Sequence, residues 1–149
     1  MTITLRPIDR DNYEVIARLS STLTPEEQRF VSHNAISILD AHYDSNLTVR
    51  GIYADDTPVG LVMWGWDANF GGRWWVIRLM TAKPHQGKGY GRQVLQTVIE
   101  TVTAAGADAL YISFVPANAV AERLYVSLGF TPTGEMIEGE TVYKRVLKP

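Results

Sequence analysis

The chain has 149 residues, 46% of them hydrophobic and 20% charged, a balance that fits one globular domain over 1–149 with a substantial core. Its formal net charge of −2 argues against nucleic acid as a general partner, and the lack of cysteine excludes disulfides, thiolate metal sites and a cysteine nucleophile. No stretch is long and apolar enough to span a bilayer, and the opening MTITLRPIDRDNY lacks the apolar region of a signal peptide, so the expectation is a cytoplasmic protein without a membrane partner.

In chain order, ITLRPI alternates as a short strand, and Asp9 is placed to cap a helix through about Ser21. TPEEQRF carries helix-start chemistry, with Thr24 as cap, Pro25 in the first turn, and Glu26 and Glu27 where the helix dipole favours acids. That helix is expected to run to about Ala41. NLTVRGIYA reads as a strand, DDTP as a turn and VGLVMWGW as the returning strand of a hairpin. A polar, Gly-rich loop at 67–72 leads into a fourth strand, RWWVIRLMTA. Alternation puts Trp75, Ile77, Leu79 and Thr81 on one of its faces and Trp74, Val76, Arg78 and Met80 on the other. Residues 90–104 place Val94, Leu95, Val98, Ile99 and Val102 at helical spacing, and Gly106 ends that helix. ALYISFV is a strand, residues 117–128 carry Val120, Leu124 and Leu128 on one stripe before Gly129, and TGEMIEGETVYKRVL makes two strands around Gly139. The order β-α-α-β-β-β-α-β-α-β-β predicts an α/β fold with a mixed sheet and helices on both faces.

Bare backbone is concentrated in KPHQGKGYGRQVL, residues 83–95, directly before a helix. Glycine lets a ligand approach the main chain, and a helix N-terminus offers unpaired N–H groups and partial positive charge. A phosphate compound is therefore the candidate ligand, and a plain tight turn is the competing reading. A Walker A loop is excluded, because Lys88 is followed by Gly89 and no GxxxxGK[ST] spacing exists. A dinucleotide fingerprint fails as well. Gly87 and Gly89 give its first half, but the third glycine position holds Arg92, and Asp108 precedes the next strand instead of following it.

Gln86-x-x-Gly89-x-Gly91 resembles the R/Q-x-x-G-x-G/A loop of the GNAT superfamily of N-acetyltransferases. NAVAERLYVSLGF, residues 118–130, resembles that family's N-x-x-A-x-x-L-Y-x-x-x-G-F helix at every position. The two motifs stand in the family's order with a strand between them, and the order of elements fits over nearly the whole chain. The resemblance implies a mixed, mostly antiparallel sheet of about seven strands, splayed between strands 4 and 5, with acetyl-CoA as co-substrate. It implies that the loop of Gln86, Gly87, Lys88, Gly89, Tyr90, Gly91 and Arg92 holds the pyrophosphate on its backbone N–H groups. Leu79, Met80 and Thr81 would pair with the pantetheine arm as if it were an added strand and supply an oxyanion N–H. Asn118 and Tyr125 would meet the cofactor arm and the thioester sulfur. Seven helical steps return the chain to nearly the same face roughly 10 Å further along, so one extended thiol cofactor can meet both.

Acetyl transfer to an amine requires loss of an amine proton, stabilisation of an oxyanion and departure of a thiolate. Direct attack is expected, since no cysteine is present to form an acyl-enzyme. Tyr125 is the expected general acid, because a phenol near pKa 10 can protonate, or hydrogen-bond to, a thiolate of pKa roughly 8.5. The base is left unassigned. Polyamine-acetylating relatives often carry a carboxylate near the position of Ile77, where this strand has no acid; Glu26, Glu27, Asp40, Asp44, His33 and His42 are candidates on other elements. The layout is similar to bacterial diamine and polyamine N-acetyltransferases, which implies a small-molecule amine acceptor and an acidic site, with Glu26 and Glu27 as substrate-binding acids. Trp64, with Trp66, Trp74 and Trp75, is a candidate to line a slot for the alkyl chain, although strand aromatics most often fill cores. An amino acid, an aminoglycoside or a protein N-terminus stays open as acceptor, and so does a non-catalytic acetyl-CoA sensor. Many such relatives dimerise, so a homodimer is expected, with TVYKRVL as an edge strand.

Overall fold

The computed structural model describes residues 1–148. Its strands are β1 (Ile3–Pro7), β2 (Leu47–Ala54), β3 (Thr57–Asp67), β4 (Arg73–Thr81), β5 (Ala109–Phe114), β6 (Thr131–Ile137) and β7 (Glu140–Val146). Its helices are α1 (Tyr13–Arg18), α2 (Asn34–Tyr43), α3 (Tyr90–Ala104) and α4 (Ala119–Ser127). The strands form one sheet in the order β1-β2-β3-β4-β5-β7-β6, antiparallel throughout except for the parallel β4–β5 pair. This is the mixed seven-stranded sheet expected from the sequence. No helix among the described residues is long and apolar enough to cross a membrane.

Two cores lie on opposite faces of the sheet. On one face, α3 and α4 cover Ile52, Val62, Trp64, Val76, Leu110 and Ile112. The periodic stripe of α3, Val94 to Val102, is buried at all five positions, each contributing about 1.5–3 kcal/mol of burial. On the other face, Ile16 of α1 and Ile38 of α2 pack with Tyr53, Leu61 and Met80.

Three expectations fail, each for a physical reason. The single helix from Thr24 to Ala41 is two pieces. Thr24 and Glu27 do form a capping box, with the Thr24 N–H donating to Glu27 Oε1 (2.9 Å) and the Glu27 N–H to Thr24 Oγ1 (3.2 Å), but it caps only a 3-10 turn over Glu27–Arg29. The chain restarts as α2 behind His33, whose Nδ1 accepts from the Ala35 N–H. Asn34 drives the break. It is 1% exposed, donates its side-chain amide to Ile16 O and its N–H to Ser20 Oγ, and so ties α2 to α1.

The second failure is the facial alternation of β4. Met63 of β3 pairs with Arg78 and Trp64 pairs with Val76, which leaves Ile77 as an extra residue, a β-bulge. The bulge reverses the faces: Trp74, Val76 and Leu79 join the α3/α4 core, while Met80 joins the α1/α2 core. Third, TVYKRVL is not an edge. β7 lies between β5 and β6, and the sheet's free edges are β1 and β6.

Candidate active site

β4 and β5 are in register at Trp74–Leu110, Trp75–Tyr111 and Val76–Ile112, and then part. Their joined end is braced by Arg73, which pairs with Glu135 (3.0 Å) and lies 4.5 Å over the Tyr111 ring. Beyond it, Ile77–Thr81 keeps β3 on one side and presents a free strand edge toward β5. A cavity of about 580 Å³ fills the opening and is lined from both faces of the sheet.

At the glycine loop, the α3/α4 side of this cavity exposes backbone. Gly87 and Gly89 hold left-handed φ of 77° and 79°, and a Cβ added at either would meet nothing within 4 Å, so the main chain faces open space. The first bond of α3 runs from the Gln93 N–H to Gly89 O (3.3 Å), leaving the N–H groups of Tyr90, Gly91 and Arg92 without intrahelical partners. This open nest at a helix start fits a pyrophosphate. Gly91 also has a packing role. It is helical, and an added Cβ would stand 3.4 Å from Leu124, so its small size serves close packing of α3 on α4. Arg92 donates to Ser127 Oγ (2.7 Å) and ties the same two helices together. Gln86 donates its amide to Thr81 O (3.1 Å), bracing the loop on the end of β4. Gln86, Gly87, Gly89, Tyr90, Gly91 and Arg92 line the cavity together with Leu79, Met80 and Thr81; Lys88 is exposed and forms no part of the wall.

Asn118 and Tyr125 both reach the cavity from α4. Asn118 Oδ1 accepts from the Ala121 N–H (3.2 Å) and caps the helix, so its amide N–H₂ is the group left to meet a ligand. Tyr125 is 8% exposed, with its ring edge-on to Phe114 at 5.3 Å. Burial, with a smaller contribution from the charge of Glu140, pushes its phenol up to about 12.

That carboxylate is the site residue the sequence reading missed. Glu138 and Gly139 both have positive φ and form a two-residue hairpin turn that sets Glu140 as the first residue of β7. Glu140 lines the cavity, and its Oε1 accepts from Ser113 Oγ of β5 (3.0 Å). Only the β5–β7 register joins these segments, and no local pattern announces it.

The remaining wall comes from the α1/α2 side. It includes Leu23, Glu27, Phe30, Val31 and the bulge residues Ile77 and Arg78. The Thr24 backbone N–H, above all, holds the Glu27 carboxyl below the usual carboxylate range; hydrogen bonds from Gln86 and the Thr24 hydroxyl and the charge of Lys83 act in the same direction against partial burial. Arg78 donates to Ile77 O, while its Nε is buried without a partner. Glu26 is exposed and does not line the cavity. Trp64 is 7% exposed within the α3/α4 core, and none of Trp64, Trp66, Trp74 and Trp75 reaches the cavity wall. The aromatic groups there are Phe30, Tyr90, Phe114 and Tyr125. His33, His42, Asp40 and Asp44 also lie outside it.

A free strand edge, an anion nest at a helix start and a buried phenol on the neighbouring helix, all on one cavity, define a site for an extended acyl-thioester. Residues 10–130 match the Acetyltransferase (GNAT) family, and the chain belongs to that family. It is an N-acetyltransferase with acetyl-CoA as co-substrate. It is 27% identical to the spermine/spermidine N(1)-acetyltransferase of Bacillus subtilis (strain 168), over 99% of this chain and 100% of the relative. An acetyltransferase from Thermus thermophilus has the same fold, with a TM-score of 0.81 at 19% identity over 99% of this chain and 98% of that one. The PaiA N-acetyltransferase of Thermoplasma acidophilum, solved in complex with coenzyme A, has a TM-score of 0.72 at 18% identity over 98% and 99% of the two chains.

Proposed function

We propose that the protein acetylates a primary amine of a diamine or polyamine, with Tyr125 donating to the departing sulfur. The observation that carries this reading is the continuous cavity. It joins the glycine nest and Tyr125 on one side of the splayed sheet to the carboxylates of Glu27 and Glu140 on the other. A flexible cation with several charges suits acids spaced along a partly apolar wall, and the full-length likeness to a spermine/spermidine acetyltransferase supports the same class.

The nest over Gly87–Arg92 and the free edge of β4 would hold acetyl-CoA, which supplies the activated acetyl group. A β4 N–H on that edge, around Leu79 to Thr81, meets the developing oxyanion. Tyr125, at about 12, stays protonated at neutral pH. A phenol that burial makes harder to ionise holds its proton until negative charge gathers on the sulfur. Tyr125 therefore acts first as a hydrogen-bond donor to the sulfur, and full transfer needs a nearby source that restores its proton. Acetyl-CoA and its small acceptors meet in the cytoplasm, where we place the protein. The proposed assembly is a homodimer, and with β7 internal its strand contacts would have to use β6 or β1.

Arg78 favours a second reading. A buried, unpaired guanidinium Nε at the acceptor side suits an acceptor that carries a carboxylate beside its amine. A panel of polyamines, monoamines and amino acids, assayed by release of free CoA, decides between the two. Spermidine or spermine should give the highest kcat/KM. Amino acids ahead of polyamines would replace the first reading by the second, and no CoA release with any amine would leave a module that binds acetyl-CoA without turning it over.

A further inference from the structure

We infer that Glu140 is the general base of the reaction, taking the proton of the attacking nitrogen and returning it to Tyr125. The inference rests on the acetyltransfer reading above and supplies the proton acceptor that β4 lacks.

Position carries the argument. On β5, Leu110, Ile112 and Phe114 face the α3/α4 core, so the alternating residue Ser113 faces the α1/α2 side, where the acceptor enters. Ser113 pairs with Val142 of β7, and Glu140 lies two residues before Val142 on that same face. The hydrogen bond from Ser113 Oγ holds its carboxylate there (3.0 Å). Ser113 also lies just past Ile112, the last β5 residue paired with β4, so the carboxylate stands where the sheet opens. Tyr125 comes from the opposite face, and the two line one cavity. A nitrogen attacking through the opening passes between a carboxylate on its own side and a phenol on the sulfur's side.

The proton count closes from the neutral amine, whose ammonium proton has passed to solvent before attack. As the N–C bond forms, the nitrogen becomes positively charged and strongly acidic, so even a weakly basic carboxylate can take its proton. The C–S bond breaks, and Tyr125 gives its proton to the departing sulfur. The proton on Glu140 then restores the phenol, directly or through one water, and the products are the amide and free CoA thiol. Charge favours this order: the negative Glu140 opposes ionisation of Tyr125, and protonating Glu140 removes that opposition at the moment the phenol must donate. The other titratable groups on the cavity are Arg78 from β4, Glu27 and His85 from the loops, and Tyr90 and Arg92 from α3. None of them is hydrogen-bonded to Ser113 or aligned with β7.

The test is Glu140→Gln, assayed with the best amine of the panel across pH, with acetyl-CoA affinity measured by calorimetry. As base, its removal should lower kcat by about 10²–10⁴-fold and abolish the acid limb of the kcat profile. The Kd for acetyl-CoA should stay within about threefold, and any rise in the amine KM from the lost charge should be small beside the fall in kcat. A kcat near wild type overturns the assignment. So does a loss carried wholly by the amine KM, since that marks a carboxylate that only binds the cation. Should Glu140→Gln lose acetyl-CoA binding, Glu140→Asp takes its place. A roughly tenfold lower kcat with the acid limb retained supports the base, and a wild-type kcat overturns it. A wild-type protein that acetylates no amine removes the acceptor reading and the base with it; an active wild type with an undiminished Glu140→Gln removes the base alone.

Discussion

The family motifs on the glycine-loop side of the cavity lie in two short runs of chain, 79–92 and 118–125, whereas the opposite wall draws Glu27 from the loop before α2, Arg78 from β4, Ser113 from β5 and Glu140 from β7. The first wall works through backbone: φ angles only glycine tolerates, N–H groups a helix start leaves free, and a strand edge a splay leaves open. The second works through side chains that meet only because distant strands pair in one register. A backbone site must be written into consecutive residues. A side-chain site needs only compatible residues at scattered positions, and it can be rebuilt without changing the first. The two walls are thus expected to respond differently to mutation.

The sharpest break is at the seam between them. Tyr125→Phe keeps the ring against Phe114 and removes only the hydroxyl, so folding and acetyl-CoA affinity should survive. Under single-turnover conditions the chemical step should fall by about 10²–10⁴-fold. A wild-type rate would make Tyr125 a packing residue. The pH profile adds a second reading. With the phenol pushed up to about 12, an alkaline limb centred near the ordinary phenol value does not belong to Tyr125 in the free enzyme. Because the folded value lies above the ordinary phenol value, the stability tied to this residue is intact at neutral pH and erodes from about pH 10 toward 12.

The next test breaks the backbone wall alone. Gly89→Val puts a β-branched residue at φ 79° and a side chain where the main chain faces open space. The acetyl-CoA Kd should rise roughly 10- to 100-fold, in line with about 1–3 kcal/mol of strain and lost approach. Gly134 of β6 is the control. It has φ 85°, the same open surroundings and no place on the cavity. Gly134→Val should cost similar stability in a thermal melt and leave the Kd alone. Equal Kd values for the two variants would mean that the loop at Gly89 is a turn and not a phosphate cradle.

The same contrast explains what the sequence made legible. Element order followed from periodicity, because α3 buries every residue of its stripe and the strands alternate. The glycine loop and the α4 motif are contiguous, so their resemblance to family motifs shows in the sequence. Three features were not. The break before α2 depends on Asn34 finding Ile16 O and Ser20 Oγ, partners 18 and 14 residues away. The bulge at Ile77 has no composition signal, yet it reverses every side chain after it and puts Arg78 on the α1/α2 side of the cavity. Glu140 looks like a hairpin residue until the β5–β7 register sets it beside Ser113. Trp64 shows the converse error: aromatic richness in strands suggested a ligand slot and built a core.

Glu27 gives the smallest effect and the finest test, because it belongs to both a local motif and the scattered wall. Its Oε1 accepts from the Thr24 N–H in the capping box, and it pairs with Lys83 at 3.4 Å. Glutamine can still accept that hydrogen bond, so Glu27→Gln keeps the turn and removes the charge. A partly exposed pair of this kind is worth about 0–1 kcal/mol, and the variant should lose no more than that at pH 7. The sign of the pH dependence follows from the depressed carboxyl. Its stabilisation is present above the ordinary carboxylate range and is lost as pH falls through the lower, folded value. The gap between wild type and Glu27→Gln in chemical denaturation should therefore close on acidification, and a gap that persists in acid would mean the charge is not what stabilises the turn. If Glu27 also meets the acceptor, the KM for spermidine should rise several-fold at neutral pH, with little change for a monoamine and none in the acetyl-CoA Kd. Equal KM changes for both amines would reduce Glu27 to a cap and leave Glu140 as the carboxylate of the acceptor wall.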